Sequence, residues 1–260
     1  NCNPSYPTHF FKVQFVDRAA ELNLLHLHFD MADNPTLSRA IIDRYERMYT
    51  GVFHDRYIKG LWTLAEGLVY PDYAGAVEEE PPAPEAIAKW AVSLDYGTQN
   101  AFAALLWGFD GRVWHVCREY RYSGRDEGHQ KTDADYVEDM AAFVDGLPER
   151  PAFIVDPSAT SFIAAMRRAG FRVKKARNDV MDGIRETGAC MAQGRMRIAA
   201  GCTGLIKELG GYAWDSRADG DRPVKVEDHS CDALRYGVAT LRIYRDVEPG
   251  AYRERIWGKR

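Results

Sequence analysis

The chain has 260 residues and a mass of 29.4 kDa, enough for one large domain or for one domain of about 150 residues with a smaller unit. Hydrophobic residues make up 46% of it, so it can bury a core and global disorder is excluded. Its 34 basic and 38 acidic residues give a net charge of −4, which argues against a general nucleic-acid coat protein. No apolar run approaches the roughly 18 residues of a membrane span and no signal peptide opens the chain, so no membrane partner is expected.

The cysteines are odd in number and scattered: Cys2, Cys117, Cys190, Cys202 and Cys231. Without a C-x-x-C pair they indicate neither a zinc knuckle nor a disulfide framework. They are predicted to be buried thiols in a reducing cytoplasm. The chain opens on Asn1 rather than Met, which predicts a fragment of a longer polypeptide.

The first seventy residues carry few signals of regular structure. Leu22–Phe29 has the composition of a strand, and Thr36 or Ser38 is placed to cap a helix that runs to Tyr49. One helix with a strand or two cannot close a core alone. We therefore expect residues 1–70 to pack on the rest of the chain or on sequence outside it.

Residues 71–86 are rich in proline and acidic side chains. The stretch from Pro71 to Glu85 holds four prolines and five acidic residues and no basic one. Because proline stiffens a segment and like charges extend it, this stretch is predicted to be a linker between two units. A long surface loop within one domain is the alternative.

After this segment, strand and helix patterns alternate. A turn at Asp110-Gly111 predicts a hairpin between the second and third strands. The predicted strands are 87–94, 101–109, 113–122, 152–155, 171–176 and 195–198, and the predicted helices are 133–144, 158–169, 179–193, 204–209 and 230–244. This order predicts an α/β fold with a mixed central sheet and helices on both faces.

Three aspartates occupy positions that such a sheet would bring to one edge. Asp95 and Asp156 each follow a strand, and Asp232 lies in the first turn of the last helix. Side chains at the carboxyl ends of neighbouring strands converge, and clustered carboxylates repel one another unless cations neutralise them. Hard oxygen ligands suit Mg²⁺ or Mn²⁺, and two such ions about 4 Å apart can drive phosphodiester hydrolysis. Taken alone, Asp156 before Pro157 and Ser158 is more typical of a turn or a helix cap, Asp95 is consistent with either role, and an acid such as Asp232 is favoured at any helix start.

Two further residues could supplement this set. His229 precedes Asp232 by one helical turn, so both side chains could face one side, although a capping or buried histidine is equally consistent. Asp228 is a possible auxiliary acid. The polar loop 215–222 is a candidate mobile flap over the site.

An enzyme that hydrolyses phosphodiesters would also need a surface for phosphates. The candidates are the basic side chains of Arg167, Arg168, Arg172, Lys174, Lys175, Arg177 and Lys225. The first six have no acidic residue among them and are expected near one end of the sheet, where they would contact the DNA backbone without reading sequence. A solvated surface patch is the alternative.

Three stretches resemble the acidic motifs of the nuclease domain of phage terminase large subunits: SLDYGTQN around Asp95, FIVDPSA around Asp156, and VEDHSCDALRYG around Asp232. The segments NCNPSYPTHFFK and LWTLAEGLVYPDY resemble the end of the packaging ATPase domain of the same family. The resemblance covers nearly the whole chain. The G-x-x-x-x-G-K-[ST] loop is absent, so this chain is expected not to hydrolyse ATP.

The resemblance implies a ribonuclease H-like fold at 87–246, preceded by a small α/β remnant of an ATPase domain at 1–70 and followed by a tail at 247–260. It implies an endonuclease that cuts double-stranded DNA during viral genome packaging with two Mg²⁺ or Mn²⁺ ions. Asp95, Asp156 and Asp232 become metal ligands, with Asp95 shared between the ions, and His229 assists. Portal protein and small terminase subunit are the implied partners.

Two other functions remain open. The chain could be a non-catalytic domain that docks DNA or a portal, although carboxylates beside DNA repel phosphate unless metal is present. D-x-G-T at 95–98 is also typical of actin-like phosphotransferases, but the second phosphate loop and the adenosine motif of that fold are missing.

Overall fold

The computed structural model describes residues 2–97 and 101–244. The strands there are β1 (Val77–Glu78), β2 (Lys89–Asp95), β3 (Phe102–Phe109), β4 (Trp114–Tyr122), β5 (Ala152–Val155), β6 (Val173–Lys175) and β7 (Met196–Ala199). They form one sheet in the order β1-β7-β4-β3-β2-β5-β6. Six of the seven run in the same direction and β3 is reversed, which confirms the predicted mixed sheet.

The α-helices are α1 (Arg39–Met48), α2 (Gly51–Tyr57), α3 (Asp133–Phe143), α4 (Thr160–Arg168), α5 (Val180–Ala192), α6 (Thr203–Gly211) and α7 (His229–Leu241). Helices α3 and α4 pack on one face of the sheet, and α5, α6 and α7 pack on the other. The predicted α/β architecture with helices on both faces is therefore confirmed.

Strand β2 separates the two cores because successive side chains of a strand point to opposite faces. Trp90, Val92 and Leu94 are buried with α3 and α4, whereas Ala91 is buried with α5 and α7. Each face of the sheet is covered by a cluster of buried hydrophobic side chains, so the central strands are packed from both sides. Their ends, where functional side chains lie, inherit that rigidity.

Close packing of α7 brings its first turn to the carboxyl edge of the sheet. Gly237 lies so near the Trp107 ring that an added Cβ would come within 2.5 Å of it. A glycine is needed here because only a residue without a side chain lets the helix approach β3 this closely.

Element ends differ from the predicted ones by a few residues. Strand β2 begins at Lys89 rather than at residue 87, because Pro84–Ala86 forms a short 3₁₀ turn first. Helix α7 ends at Leu241 rather than at residue 244, because Arg242 adopts a left-handed backbone with φ of 60°. The predicted hairpin at Asp110-Gly111 is confirmed.

The strand predicted at Leu22–Phe29 is wrong. In the described part of the chain no other segment pairs with it, and Leu25, Leu27 and Phe29 are exposed. An apolar run becomes a strand only where a neighbour supplies hydrogen bonds, which a local pattern cannot guarantee. Among residues 2–70 the structure has helices and turns rather than an α/β unit, and the predicted helix to Tyr49 is confirmed as α1.

The acidic, proline-rich segment packs partly against the sheet. Ala76 is fully buried, and β1 pairs in parallel with β7. Residues 79–86 are half-buried or exposed. The segment thus extends the sheet by one short strand, and the division at 71–86 stays a prediction.

Three of the free cysteines, Cys190, Cys202 and Cys231, are buried as predicted, whereas Cys2 is exposed. No helix of the described residues is long and apolar enough to cross a membrane. The end of the first acidic motif, residues 98–100, and the predicted tail at 247–260 lie outside the described residues.

Candidate active site at the carboxyl edge of the sheet

Two of the three predicted aspartates lie at the ends of adjacent parallel strands. Asp95 is the last residue of β2, and Asp156 directly follows β5. The register pairs Leu94 with Val155, so the strands end at the same level. The topology therefore brings these two carboxylates together, as the sequence predicted.

Helix α7 supplies the third carboxylate. His229, Asp232 and Tyr236 are three and four residues apart and lie on one helical face. His229 Nδ1 is 2.9 Å from Asp95 Oδ2, and the Tyr236 hydroxyl donates to Asp156 Oδ2 at 2.8 Å. Asp232 lies between these two bridges, which places all three aspartates around one edge.

The carboxylates are close enough to perturb one another. The pKa of Asp95 is raised, first by burial and then by the charges of Asp232 and Asp156, while the hydrogen bond from His229 opposes the rise. The same bond is the main cause of the raised pKa of His229. A cation at this edge would relieve the repulsion.

Asp156 differs from Asp95 because several donors surround it. Burial alone would raise its pKa, but hydrogen bonds from Ser158, Tyr236 and Asn178 outweigh burial and lower it. The Ser158 amide donates to Oδ1 at 2.7 Å, and Asn178 Nδ2 lies 3.5 Å from Oδ2. Asp156 is thus held ionised, as a metal ligand requires.

Asp232 is held by two basic side chains. Arg235 donates to its Oδ1 at 2.8 Å, and Lys225 donates to its Oδ2 at 3.3 Å. Lys225 also lies 3.0 Å from Asp228 Oδ2, so Asp228 joins the cluster from the position just before α7.

The donor set fits Mg²⁺ or Mn²⁺ in its chemistry, because three hard carboxylates share one edge of the sheet and the charges of Asp232 and Asp156 help to raise the pKa of Asp95. Among the described residues, no three His, Cys, Asp or Glu side chains are already arranged to hold a metal ion. Protein groups contact carboxylate oxygens that a metal ion would take, since His229 lies on Asp95 Oδ2 and Lys225 lies on Asp232 Oδ2.

Comparisons with known proteins connect this geometry to one family. The large terminase of a thermophilic bacteriophage, which has also been solved in complex with ADP, is 45% identical, with 93% of this chain and 62% of that protein covered and a TM-score of 0.87. The large terminase subunit of Escherichia phage T5 is 25% identical over 158 residues, 58% of this chain and 34% of that protein. The chain is a homologue of phage large terminases. It spans less than two thirds of either relative, and no protein-family profile matches it.

Isolated terminase nuclease domains share the fold. The nuclease domain of P22 large terminase is 18% identical and covers 70% of this chain and 95% of its own, with a TM-score of 0.56. The large terminase nuclease of thermophilic phage G20c, solved with bound magnesium, is 12% identical and covers 70% and 98%, with a TM-score of 0.51. The same G20c nuclease has been solved with cobalt. These likenesses confirm the ribonuclease H-like fold.

In this terminase homologue the predicted phosphate-binding residues do not form one patch. Helix α4 runs back from Asp156, so Arg167 and Arg168 at its end lie with Arg172 at the opposite end of β5 and β6. Lys175 is paired with Val155 near the carboxyl edge. The expectation of a single cluster is therefore wrong, because helix and strand run in opposite directions.

The remaining basic candidates have specific environments. Arg177 donates to the Ala239 carbonyl and the Tyr244 hydroxyl, so it ties β6 to the end of α7. Lys174 is half-buried, and burial followed by the charge of Arg172 lowers its pKa. Lys225 is exposed and contacts Asp228 and Asp232, and Lys175 is exposed at the end of β6, paired with Val155.

Several supporting residues of this terminase homologue were missed from the sequence. Tyr236 lies seven residues after His229, a spacing that already indicates one helical face. Arg235 is buried and donates to Asp232. It is part of the third acidic motif, but nothing in the sequence indicated that its side chain binds the aspartate. Buried Glu208 accepts hydrogen bonds from the amides of Ser230 and Cys231 at the start of α7, a contact between helices that no local pattern signals.

Proposed function

We propose that residues 87–246 form the nuclease domain of a phage large terminase, which cuts double-stranded DNA during genome packaging with two divalent cations. The observation that carries the proposal is the convergence of Asp95, Asp156 and Asp232 at one edge of a ribonuclease H-like sheet. Homology to the 45% identical large terminase and the magnesium and cobalt complexes of the G20c nuclease support it. Residues 1–70 are proposed to be the end of the packaging ATPase domain, 71–86 the linker and 247–260 a tail.

The residues of this chain have distinct roles in the proposed reaction. Asp95, Asp156 and Asp232 would hold the cations, with Asp228 as an auxiliary acid. When bound, the cations would activate a water molecule and stabilise the leaving oxygen of the phosphodiester. Tyr236 fixes the orientation of Asp156, and Arg235 fixes that of Asp232.

His229 has two compatible roles. It positions Asp95 through their shared hydrogen bond, and its raised pKa keeps it protonated over a wider pH range than a free histidine. A protonated imidazole at this edge can give a proton to a departing oxygen. Lys175 and Lys225 would neutralise backbone phosphates nearby.

The broader assembly follows from the family. A terminase large subunit in a host cell would work with a portal protein and a small terminase subunit, and these remain proposed partners. A docking domain without catalysis would bind DNA in the same place but leave it uncut. The described structure includes Asp95 to Gly97 of the D-x-G-T motif, whereas Thr98 lies outside it.

Plasmid cleavage in Mn²⁺ tests this proposal. We expect the wild-type chain to cut, and Asp95→Asn, Asp156→Asn and Asp232→Asn each to lose at least about 100-fold in rate, as removal of a charge-stabilising group does in other enzymes. Asp145→Asn is the matched control, since Asp145 is an exposed carboxylate just after α3. Thermal unfolding of each variant establishes that it is folded.

Full activity of the three site variants would contradict the assignment of the site. A wild-type chain that binds DNA without cutting it in Mn²⁺ would favour the docking domain instead.

A further inference from the structure

The segment 223–228, which we call the site arm, leads into α7 and carries Lys225. Its residues from 224 to 227 are exposed, and Val226 keeps 71% of its accessible surface. Glu227 has a left-handed backbone with φ of 47°, unusual for a residue with a side chain, so the arm bends sharply before the helix. Lys225 therefore reaches back over the aspartates from an exposed segment.

The two oxygens of Asp232 are held very differently. Arg235, on Oδ1, is 2% exposed and also donates to the carbonyls of Asn178 and Asp179, so it is fixed in place. Lys225, on Oδ2, has a side chain that is 58% exposed. A flexible ammonium can leave its partner without unpacking a core, whereas the buried guanidinium cannot.

The Lys225 ammonium lies where a positive charge reduces the repulsion between neighbouring carboxylates. Lys225 Nζ lies 3.0 Å from Asp228 and 3.3 Å from Asp232, so one cation is shared by two carboxylates. The positive charge of Lys225 thus offsets part of the carboxylate repulsion.

We infer that Lys225 is a built-in competitor of the divalent cation: it holds Asp232 Oδ2 and must be displaced before a metal ion can take that oxygen. The inference rests on the proposed metal site and adds a residue that sets its affinity. Once displaced, the ammonium is free to meet a DNA phosphate beside the metal. Metal loading and phosphate contact would then be linked through one side chain.

Binding of Mn²⁺ by the full chain, measured by titration calorimetry, tests the inference. Lys225→Met removes the competitor, so we expect the Kd for Mn²⁺ to fall by about fivefold or more, the equivalent of one exposed ion pair. Lys225→Arg keeps the charge and should leave the Kd near that of the wild type. We also expect Mn²⁺ to raise the melting temperature of Lys225→Met more than that of the wild type.

Lys207→Met is the matched control. Lys207 is an exposed lysine 3.7 Å from Glu227 on the same arm, so this variant removes a nearby positive charge without touching Asp232. An unchanged Kd in Lys207→Met with a lowered Kd in Lys225→Met supports direct competition. If both variants lowered the Kd for Mn²⁺ equally, direct competition would be overturned, and the loss of any nearby positive charge would explain the result.

Two other results are decisive. Metal binding in the wild type with an unchanged or weaker affinity in Lys225→Met overturns the inference and leaves the proposed nuclease intact. No Mn²⁺ binding by any of the proteins overturns the proposed metal site itself, and the inference with it.

Discussion

At the scale of single residues, the bond between His229 and Asp95 makes the site sensitive to pH. The pKa of His229 is raised above its ordinary value of 6.5, chiefly by the hydrogen bond to Asp95. The folded state therefore binds this proton more tightly than the unfolded state does. The resulting stabilisation is complete below pH 6.5 and is lost as the pH rises through the raised pKa.

The loss of this stabilisation with rising pH gives a prediction for the metal-free protein. In EDTA, wild type and His229→Gln should differ most in free energy of unfolding below pH 6.5, and the difference should shrink as the pH rises through the raised pKa of His229. Urea denaturation at several pH values measures it. A difference that stays constant or grows with pH would mean that the proton on His229 is not what stabilises the pair.

At the scale of elements, the sequence predicts the sheet and its helices well because their patterns are local. Ala152–Val155 is a buried apolar strand that ends where Asp156-Pro157 follows it, and structure and prediction agree on its bounds. Asp95 and Asp156 could be predicted as site residues for the same reason, since each directly follows a strand. Asp232 does not follow a strand, so its prediction as a site residue depended on the sequence motif around it.

The parts that could not be predicted depend on contacts between distant segments. Leu22–Phe29 has the composition of a strand, but its pairing depends on a neighbour that no local pattern specifies. Glu208 acts on α7 from another helix, 22 residues away along the chain. The basic residues from Arg167 to Lys175 are close in sequence, but α4 ends near the start of β6 and β6 leads back to the carboxyl edge, so Arg172 and Lys175 lie at opposite ends of that strand.

Glu208 gives a prediction at this scale because it holds the start of the helix that carries His229 and Asp232. It accepts from the Ser230 amide at 2.7 Å and the Cys231 amide at 3.1 Å, and it pairs with Arg121. Glu208→Gln removes the charge from this buried contact. We expect it to lower the free energy of unfolding by about 1–3 kcal/mol and to weaken Mn²⁺ binding, since α7 loses its anchor.

Glu119→Gln is the matched comparison. Glu119 accepts the Gly204 and Leu205 amides at 2.6 and 2.8 Å and so holds the start of α6 in the same way. We expect a similar loss of stability but an unchanged Kd for Mn²⁺, measured by denaturation and calorimetry. Weakened metal binding in both variants would attribute the effect to general destabilisation instead.

At the scale of the whole molecule, the first seventy residues hold the segment that leads to the site. The main chain of Gly67 and Val69 is hydrogen-bonded to Tyr212 and Trp214, and Tyr6 packs against Gly220. The loop 215–222 was predicted to be a mobile flap, but its end is anchored by these contacts and by a buried ion pair. A movement of the first seventy residues would therefore displace the loop 215–222, which is continuous with the site arm.

That ion pair joins Arg56 of α2 to Asp221, and both side chains are almost fully buried. Arg56 also donates to the Thr63 carbonyl at 3.1 Å, so its removal leaves a buried carboxylate and a carbonyl with a lost donor. Breaking one side of a buried pair costs about 3–5 kcal/mol, and we expect Arg56→Met to lose stability in that range. Because Asp221 lies just before the site arm, the loop 215–222 and the arm should also become more open to cleavage by trypsin, after Arg217 and after Lys225.

Arg39→Met provides the contrast that makes this test specific. Arg39 pairs with Asp43 on the exposed face of α1, with 77% of the arginine side chain accessible, so we expect unfolding and trypsin sensitivity close to those of the wild type. If Arg56→Met were as stable and as resistant as Arg39→Met, the buried pair would not be what holds the loop. If instead cleavage appears after Arg217 and Lys225 before the sheet unfolds, the first seventy residues control the order of the loop 215–222 and of the site arm.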